Sequence, residues 1–191
     1  MRIQNIQNQN FGKQAVMTCK VVDSNTKRKT PATLWKYTSI NYKDQREIRE
    51  NDAIPDGVKE TFMRYYDFGA PNAYFYVLKN GDNGETISYA QTSNHYRESD
   101  SEIHGLYTKI DEYNTSPNYL NAMEPIVAQI VNEAEDRGSS SVAVSVGEDD
   151  VPMLKNIKFS KTKYGEYYIP EKRFESIVDK AQQRSQIKFW A

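Results

Sequence analysis

Between Ile103 and Phe159 the chain reads strand, helix, strand and short helix without a break, and no other stretch limits the fold as much. Ile103 to Ile110 is rich in β-formers. After a polar loop, Leu120, Met123, Val127, Ile130 and Ala134 recur at steps of three and four, which places them on one helical face. Gly138 stands where a helix C-terminus favours a left-handed residue. Val142, Val144 and Val146 then alternate with Ala143 and Ser145, the period-two pattern of a strand. Two strands joined through a helix can pair in parallel, because such a crossover brings the chain back in its original direction. Asp149 or Asp150 can cap a last short helix, which tolerates Pro152 in its first turn and turns Met153, Leu154 and Ile157 inward.

The flanks supply the rest of a sheet. Ala15 to Val22 and Thr33 to Ile40 alternate as strands and form a hairpin, with Lys27, Arg28 and Lys29 solvated at its tip. Lys43 to Glu50 is charged with Ile48 as its one large apolar residue, which predicts a solvent-facing helix. Pro55 opens a better one, with Val58, Phe62 and Tyr65 on one face and Gly69-Ala70-Pro71 as its stop. Ala73 to Leu78 is apolar without alternation, as in a central strand covered on both faces. Asn80 to Gly84 is a turn, Thr86 to Thr92 the partner strand, and Tyr96 to Ser101 a polar loop. Glu166 to Ile169 is a closing strand ended by Pro170, and Phe174, Ile177, Val178 and Ala181 mark an amphipathic helix that docks on the body. Ile187, Phe189 and Trp190 are expected to pack back on the core.

These elements make one α/β domain with a mixed central sheet. Its organisation is a flexible Gln/Asn-rich leader over 1–12, the domain over 13–170, and a helical extension over 171–191. Lys and Arg number 25 against 26 Asp and Glu, so the chain lacks the basic footprint of a nucleic-acid binder. No apolar run approaches the ~18 residues of a membrane span. A lone Cys19 excludes an internal disulfide, and Cys19, His95 and His104 have no metal-ligand spacing. A soluble cytoplasmic protein without metal, nucleic acid or membrane as partner is the expectation.

The succession of elements over roughly 31 to 169, with the strand, short helix and terminal aromatic of Val142 to Phe159, resembles the Gcn5-related N-acetyltransferase family. The resemblance implies that Ile103–Ile110 and Val142–Val146 are a splayed parallel pair receiving acetyl-coenzyme A, whose pyrophosphate meets the N–H groups of the following helix. It further implies N-acyl transfer to a small-molecule or peptide amine. The family's phosphate loop, R/Q-x-x-G-x-G/A, is absent, since no glycine lies between Gly105 and Gly138. The equivalent loop, Asp111 to Leu120, has no Arg or Lys, and Asp111 and Glu112 would repel phosphate. Its helix starts either at Pro117, with a kink at Pro125, or at Pro125 itself. Where the family often keeps an acidic Tyr, this chain has Leu154.

The candidate bases are His104 and Glu102, which share a strand face with Leu106, Thr108 and Ile110; a histidine titrating near neutrality suits the task, and packing is its alternative role. For the cofactor the candidates are Tyr107 and Thr108 on the strand and Ser116, Asn118 and Asn121 as donors to phosphate, although helix starts also favour such residues. The alternative function is a domain that has kept the architecture, lost the cofactor and binds another protein.

Overall fold

The computed structural model describes residues 13–38, 41–67, 73–82, 84–97, 105–144 and 151–190. Its strands are β1 (Gln14–Asp23), β2 (Lys29–Thr38), β3 (Tyr74–Asn80), β4 (Thr86–Arg97), β5 (Gly105–Thr115), β6 (Tyr119–Leu120), β7 (Ser141–Val144), β8 (Ser160–Lys161), β9 (Tyr167–Pro170) and β10 (Lys188–Phe189). Its helices are α1 (Tyr42–Arg49), α2 (Asp56–Asp67), α3 (Met123–Asp136), α4 (Val151–Ile157) and α5 (Phe174–Ser185). The strands form one mixed sheet in the order β10-β1-β2-β3-β4-β5-β7-β9-β8, with β6 beside β1. Neighbours run antiparallel except β5 and β7, which pair in parallel through Thr108–Val142, Lys109–Ala143 and Ile110–Val144. Helix α3 is the crossover that parallel pairing requires.

Strand β3 shows why helices lie on both faces. Phe75 and Val77 join Tyr37, Tyr89, Ile48, Ile54 and Phe62 in one apolar cluster that includes α1 and α2 residues. Tyr76 and Leu78 join the other, which takes in Ile126, Val127 and Ile130 of α3 with Phe174, Ile177 and Ala181 of α5. Removing each such side chain from water contributes about 1.5–3 kcal/mol, so both helical layers hold the sheet. Between β3 and β4 the chain turns tightly enough that a Cβ at Gly84 would stand 1.9 Å from the Asn80 carbonyl oxygen, which only glycine permits. No helix among the described residues is long and apolar enough to cross a membrane.

Four expectations are corrected. The charged helix α1 is not merely solvent-facing, because Asp44 and Ile48 are both buried. The Asn41 side chain caps it by accepting from Lys43 and Asp44 N–H groups, and Asp44 Oδ2 accepts the Thr38 N–H at 2.8 Å. Asp111 to Thr115 belong to β5 and not to a loop, since Glu112 to Thr115 go on pairing with Gln91 to Ser88 of β4. Strand β4 likewise continues through Tyr96 and Arg97, the start of the expected loop, because the ladder partners Leu106 and Gly105 are there to receive them. Helix α3 consequently starts at Met123, between the two expected positions, with Pro125 in its first turn where a missing N–H breaks no helical bond.

The far end of α3 is as expected. Gly138 takes φ 70°, while its N–H donates to Glu135 O and the Ser139 N–H to Ala134 O, the paired bonds of a Schellman stop. Leu154 and Ile157 are buried in α4, and Ile187 is buried where β10 closes against β1, although Trp190 remains 51% exposed. The leader, the Gly69-Ala70-Pro71 stop, Val146 and the capping aspartates Asp149 and Asp150 lie outside the described residues.

Candidate functional site

Ile110 and Val144 are the last partners of the parallel pair among the described residues, and the next residue of β5, Asp111, sits in a β-bulge. Gln91 pairs with Glu112 and Thr92 with Ile110, so Asp111 is the extra residue on its strand. Asp111 lies two residues beyond Lys109 and so keeps the face of Tyr107, shared with Ser93 and His95 opposite α3, while the bulge brings the next residue, Glu112, onto that face as well. There the Ser93 hydroxyl donates to Asp111 Oδ2 at 2.6 Å and lies 2.6 Å from His95 Nε2. An ionised carboxylate only accepts, and serine has one proton to give. Ser93 therefore accepts from His95, which must carry its proton on Nε2. The imidazole stacks on Tyr107 with ring centroids 5.4 Å apart, and Tyr107 packs with Ala143 and Tyr168. On the same face Gln91 is fully buried, and its side-chain amide has no partner among the described residues.

Further along β5, on the side of α3, a cleft of about 290 Å³ opens between the start of α3 and α4. Thr115, Asn121, Met123, Glu124, Met153 and Arg184 are among its lining. The chain before α3 is bound at both ends. Ser116 N–H donates to Ile87 O, and the Ser88 hydroxyl donates to Ala122 O. Asn121 takes φ 58° there, a left-handed position that asparagine tolerates better than most residues. Two buried atoms in the lining lack partners among the described residues, Thr115 Oγ1 and Glu124 Oε2. The other Glu124 oxygen accepts from Arg184 at 3.2 Å, and burial pushes this carboxyl above its ordinary range against the pull of the arginine.

The residues expected from sequence are dispersed. His104 and Glu102 lie outside the described residues. Tyr107 is buried beside His95, away from the cleft. Thr108 is fully buried, its hydroxyl bonded to Asn94 Oδ1 at 3.0 Å and 3.1 Å from Ser139 Oγ. Ser116 Oγ accepts the Asn118 N–H, and the Asn118 carbonyl accepts the Ser24 N–H, so both are engaged in the turn. Of these cofactor candidates, Asn121 alone lines the cleft. Sequence reading missed Asp111, Ser93 and His95 because it ended one strand at Thr92 and placed Asp111 in a loop, so the ladder that brings them together was not foreseen. It missed Glu124 and Arg184 because they come together from distant helices, and the one available signal was an acid and a base on otherwise apolar helical faces. Cys19 is buried, which pushes its thiol up to about 12 and leaves it inert.

No protein-family model matches the sequence, and neither does any curated protein. Solved structures do match in shape. The KacTA–DNA complex has a TM-score of 0.54 at 12% identity, covering 77% of this chain and 99% of that one. A predicted acetyltransferase from Clostridium acetobutylicum, with acetyl-CoA, gives 0.51 at 15% identity over 69% and 92%. The aminoglycoside N-acetyltransferase AAC(6')-Iy in complex with CoA gives 0.52 at 12% identity over 71% and 92%.

Proposed function

We infer that this chain, which has the Gcn5-related N-acetyltransferase fold, transfers an acyl group from acyl-coenzyme A to an amine of a small molecule or peptide. The observation that carries the reading is the pairing of two sites about the end of the parallel strands: a largely apolar cleft with unpartnered polar atoms among the described residues on one side, and a carboxylate beside the bulge on the other. The cleft suits the donor's pantetheine arm. Its amides would meet Thr115 Oγ1 and Glu124 Oε2, while Met123 and Met153 pack along its carbons. Acyl-coenzyme A supplies the activated acyl group as a thioester.

Asp111 is the base in this reading. A cationic amine approaching the face opposite α3 meets its carboxylate, which takes the ammonium proton and passes it to water. The freed amine then attacks the thioester carbonyl, the C–S bond breaks as the C–N bond forms, and the departing thiolate takes up the second amine proton. Ser93 and His95 are positioning residues that hold the carboxylate in one orientation. Nearly cancelling charge supports an amine acceptor over a nucleic acid.

Thermal unfolding with and without acetyl-CoA tests the reading. Cofactor at a hundred times its dissociation constant should stabilise by about 2.7 kcal/mol and raise the midpoint by several degrees. The absence of any shift at millimolar acetyl-CoA would refute it. Given an acceptor, Asp111→Asn should lower kcat by about a hundredfold or more while leaving the thermal shift unchanged.

A further inference from the structure

We propose that the phosphates of the donor are held by side chains at the mouth of the cleft, Arg184 and Lys180 of α5 together with Lys158 after α4, and not by the amides that open α3. The inference rests on the acyl-coenzyme A reading above and assigns the anionic half of that ligand.

The start of α3 is poorly equipped for an anion. Its Glu124 N–H already donates to Asn121 O at 3.1 Å, and Pro125 has no N–H to offer. The Glu124 carboxylate stands at the same spot, 7% exposed, and would oppose a phosphate there. Helix macrodipoles favour anions at their N-termini, but here the chain's own acid already occupies that position.

The opposite wall offers what α3 lacks. Glu124, Asn156, Ile157 and Arg184 line the cleft and also a small crevice of about 10 Å³ beside it, whose rim is completed by Lys158, Lys180 and Ile177. Three cations thus face one acid. Arg184 engages Glu124 at 3.2 Å while its side chain stays 57% exposed, leaving guanidinium donors directed outward. Neither Lys158 nor Lys180 has an ion-pair partner among the described residues. A donor whose amide arm lies in the cleft would have its phosphates emerge over this rim, against the exposed Lys158 and Lys180. In this arrangement α5 belongs to the binding site and takes over the work of a glycine-rich phosphate loop.

Calorimetric titration of the full chain tests this with acetyl-CoA and with S-acetylpantetheine, which lacks the phosphates. The variant is Lys158→Gln combined with Lys180→Gln, both exposed and outside the core. It should weaken acetyl-CoA binding by about tenfold or more, since a hydrogen bond to a charged group is worth at least a decade. Its affinity for S-acetylpantetheine should stay within about twofold of the unsubstituted chain, because that ligand makes no phosphate contact. Raising salt should weaken acetyl-CoA more than S-acetylpantetheine. If the variant binds acetyl-CoA as the unsubstituted chain does, the phosphates sit elsewhere: the proposal is overturned and the acyltransferase reading stands. If the two ligands bind the unsubstituted chain equally, the phosphates are not held at all, which also overturns it. Failure of the unsubstituted chain to bind either ligand removes both readings together.

Discussion

Glu124 and Glu133 stand on one helix, both turned away from solvent, and they are treated in opposite ways. Glu133 is surrounded by donors. Lys36 Nζ reaches it at 2.6 Å, the Tyr76 hydroxyl at 2.9 Å, Arg137 at 3.0 Å and Gln129 Nε2 at 2.8 Å. Those partners outweigh its burial and hold the carboxyl below its ordinary range. Among the described residues Glu124 has Arg184 alone, keeps one oxygen without a partner, and is pushed the other way. The satisfied buried acid ties α3 to β2 and β3, whereas the other lines a cleft with hydrogen-bonding capacity unused.

The largest test of that contrast is Glu133→Ala. Removing the acid strands Lys36 and Arg137 in a buried setting, and unfolding in urea should show a loss of about 3–5 kcal/mol. A loss under about 1 kcal/mol would mean that the cluster is solvated and that the contrast is false. Glu124→Gln should do little by comparison. It removes a carboxylate that burial disfavours, so the expected change lies between zero and a gain of about 1 kcal/mol, and a clear destabilisation would show that Arg184 matters to the fold.

The smallest effect is in pH. The folded pKa of Glu133 is depressed from its ordinary 4.5, so its contribution is present above that value and fades as pH falls through the folded pKa. The folded pKa of Glu124 is raised from 4.5, so the protonated form is favoured in the native state, and the contribution present in acid is lost as pH rises through the folded pKa. Unfolding free energies measured from about pH 3 to pH 8 should therefore show the deficit of Glu133→Gln shrinking in acid. Over the same range the relative gain of Glu124→Gln should grow as pH rises. Parallel curves for the two variants would erase the distinction.

How far this could be read in the chain itself varies by element. The crossover was legible because Val127, Ile130 and Ala134 repeat at helical spacing while Val142 to Val144 alternate, and both patterns follow from burial of one face or stripe. The end of β5 was not. Asp111, Glu112 and Asn114 are poor strand formers, and only the ladder to Ser88 through Gln91 keeps them extended, a tertiary effect that overrides local preference. The absence of glycine between Gly105 and Gly138 was visible, but the meeting of Glu124 with Arg184 at the cleft was hidden, since the two lie sixty positions apart in sequence.

The place of α5 in the chain has a consequence for how the molecule is made. Synthesis runs from β1 onward, and strands β1 to β9 all precede α5. Every strand from hairpin to crossover therefore leaves the ribosome before Lys180 and Arg184 do. Phe174, Ile177 and Ala181 of α5 nevertheless belong to the main apolar cluster, and domains fold as units, so the α3 side of the sheet gains its full cover only once α5 has emerged. One late helix therefore both closes the core and completes the lining of the cleft at Arg184.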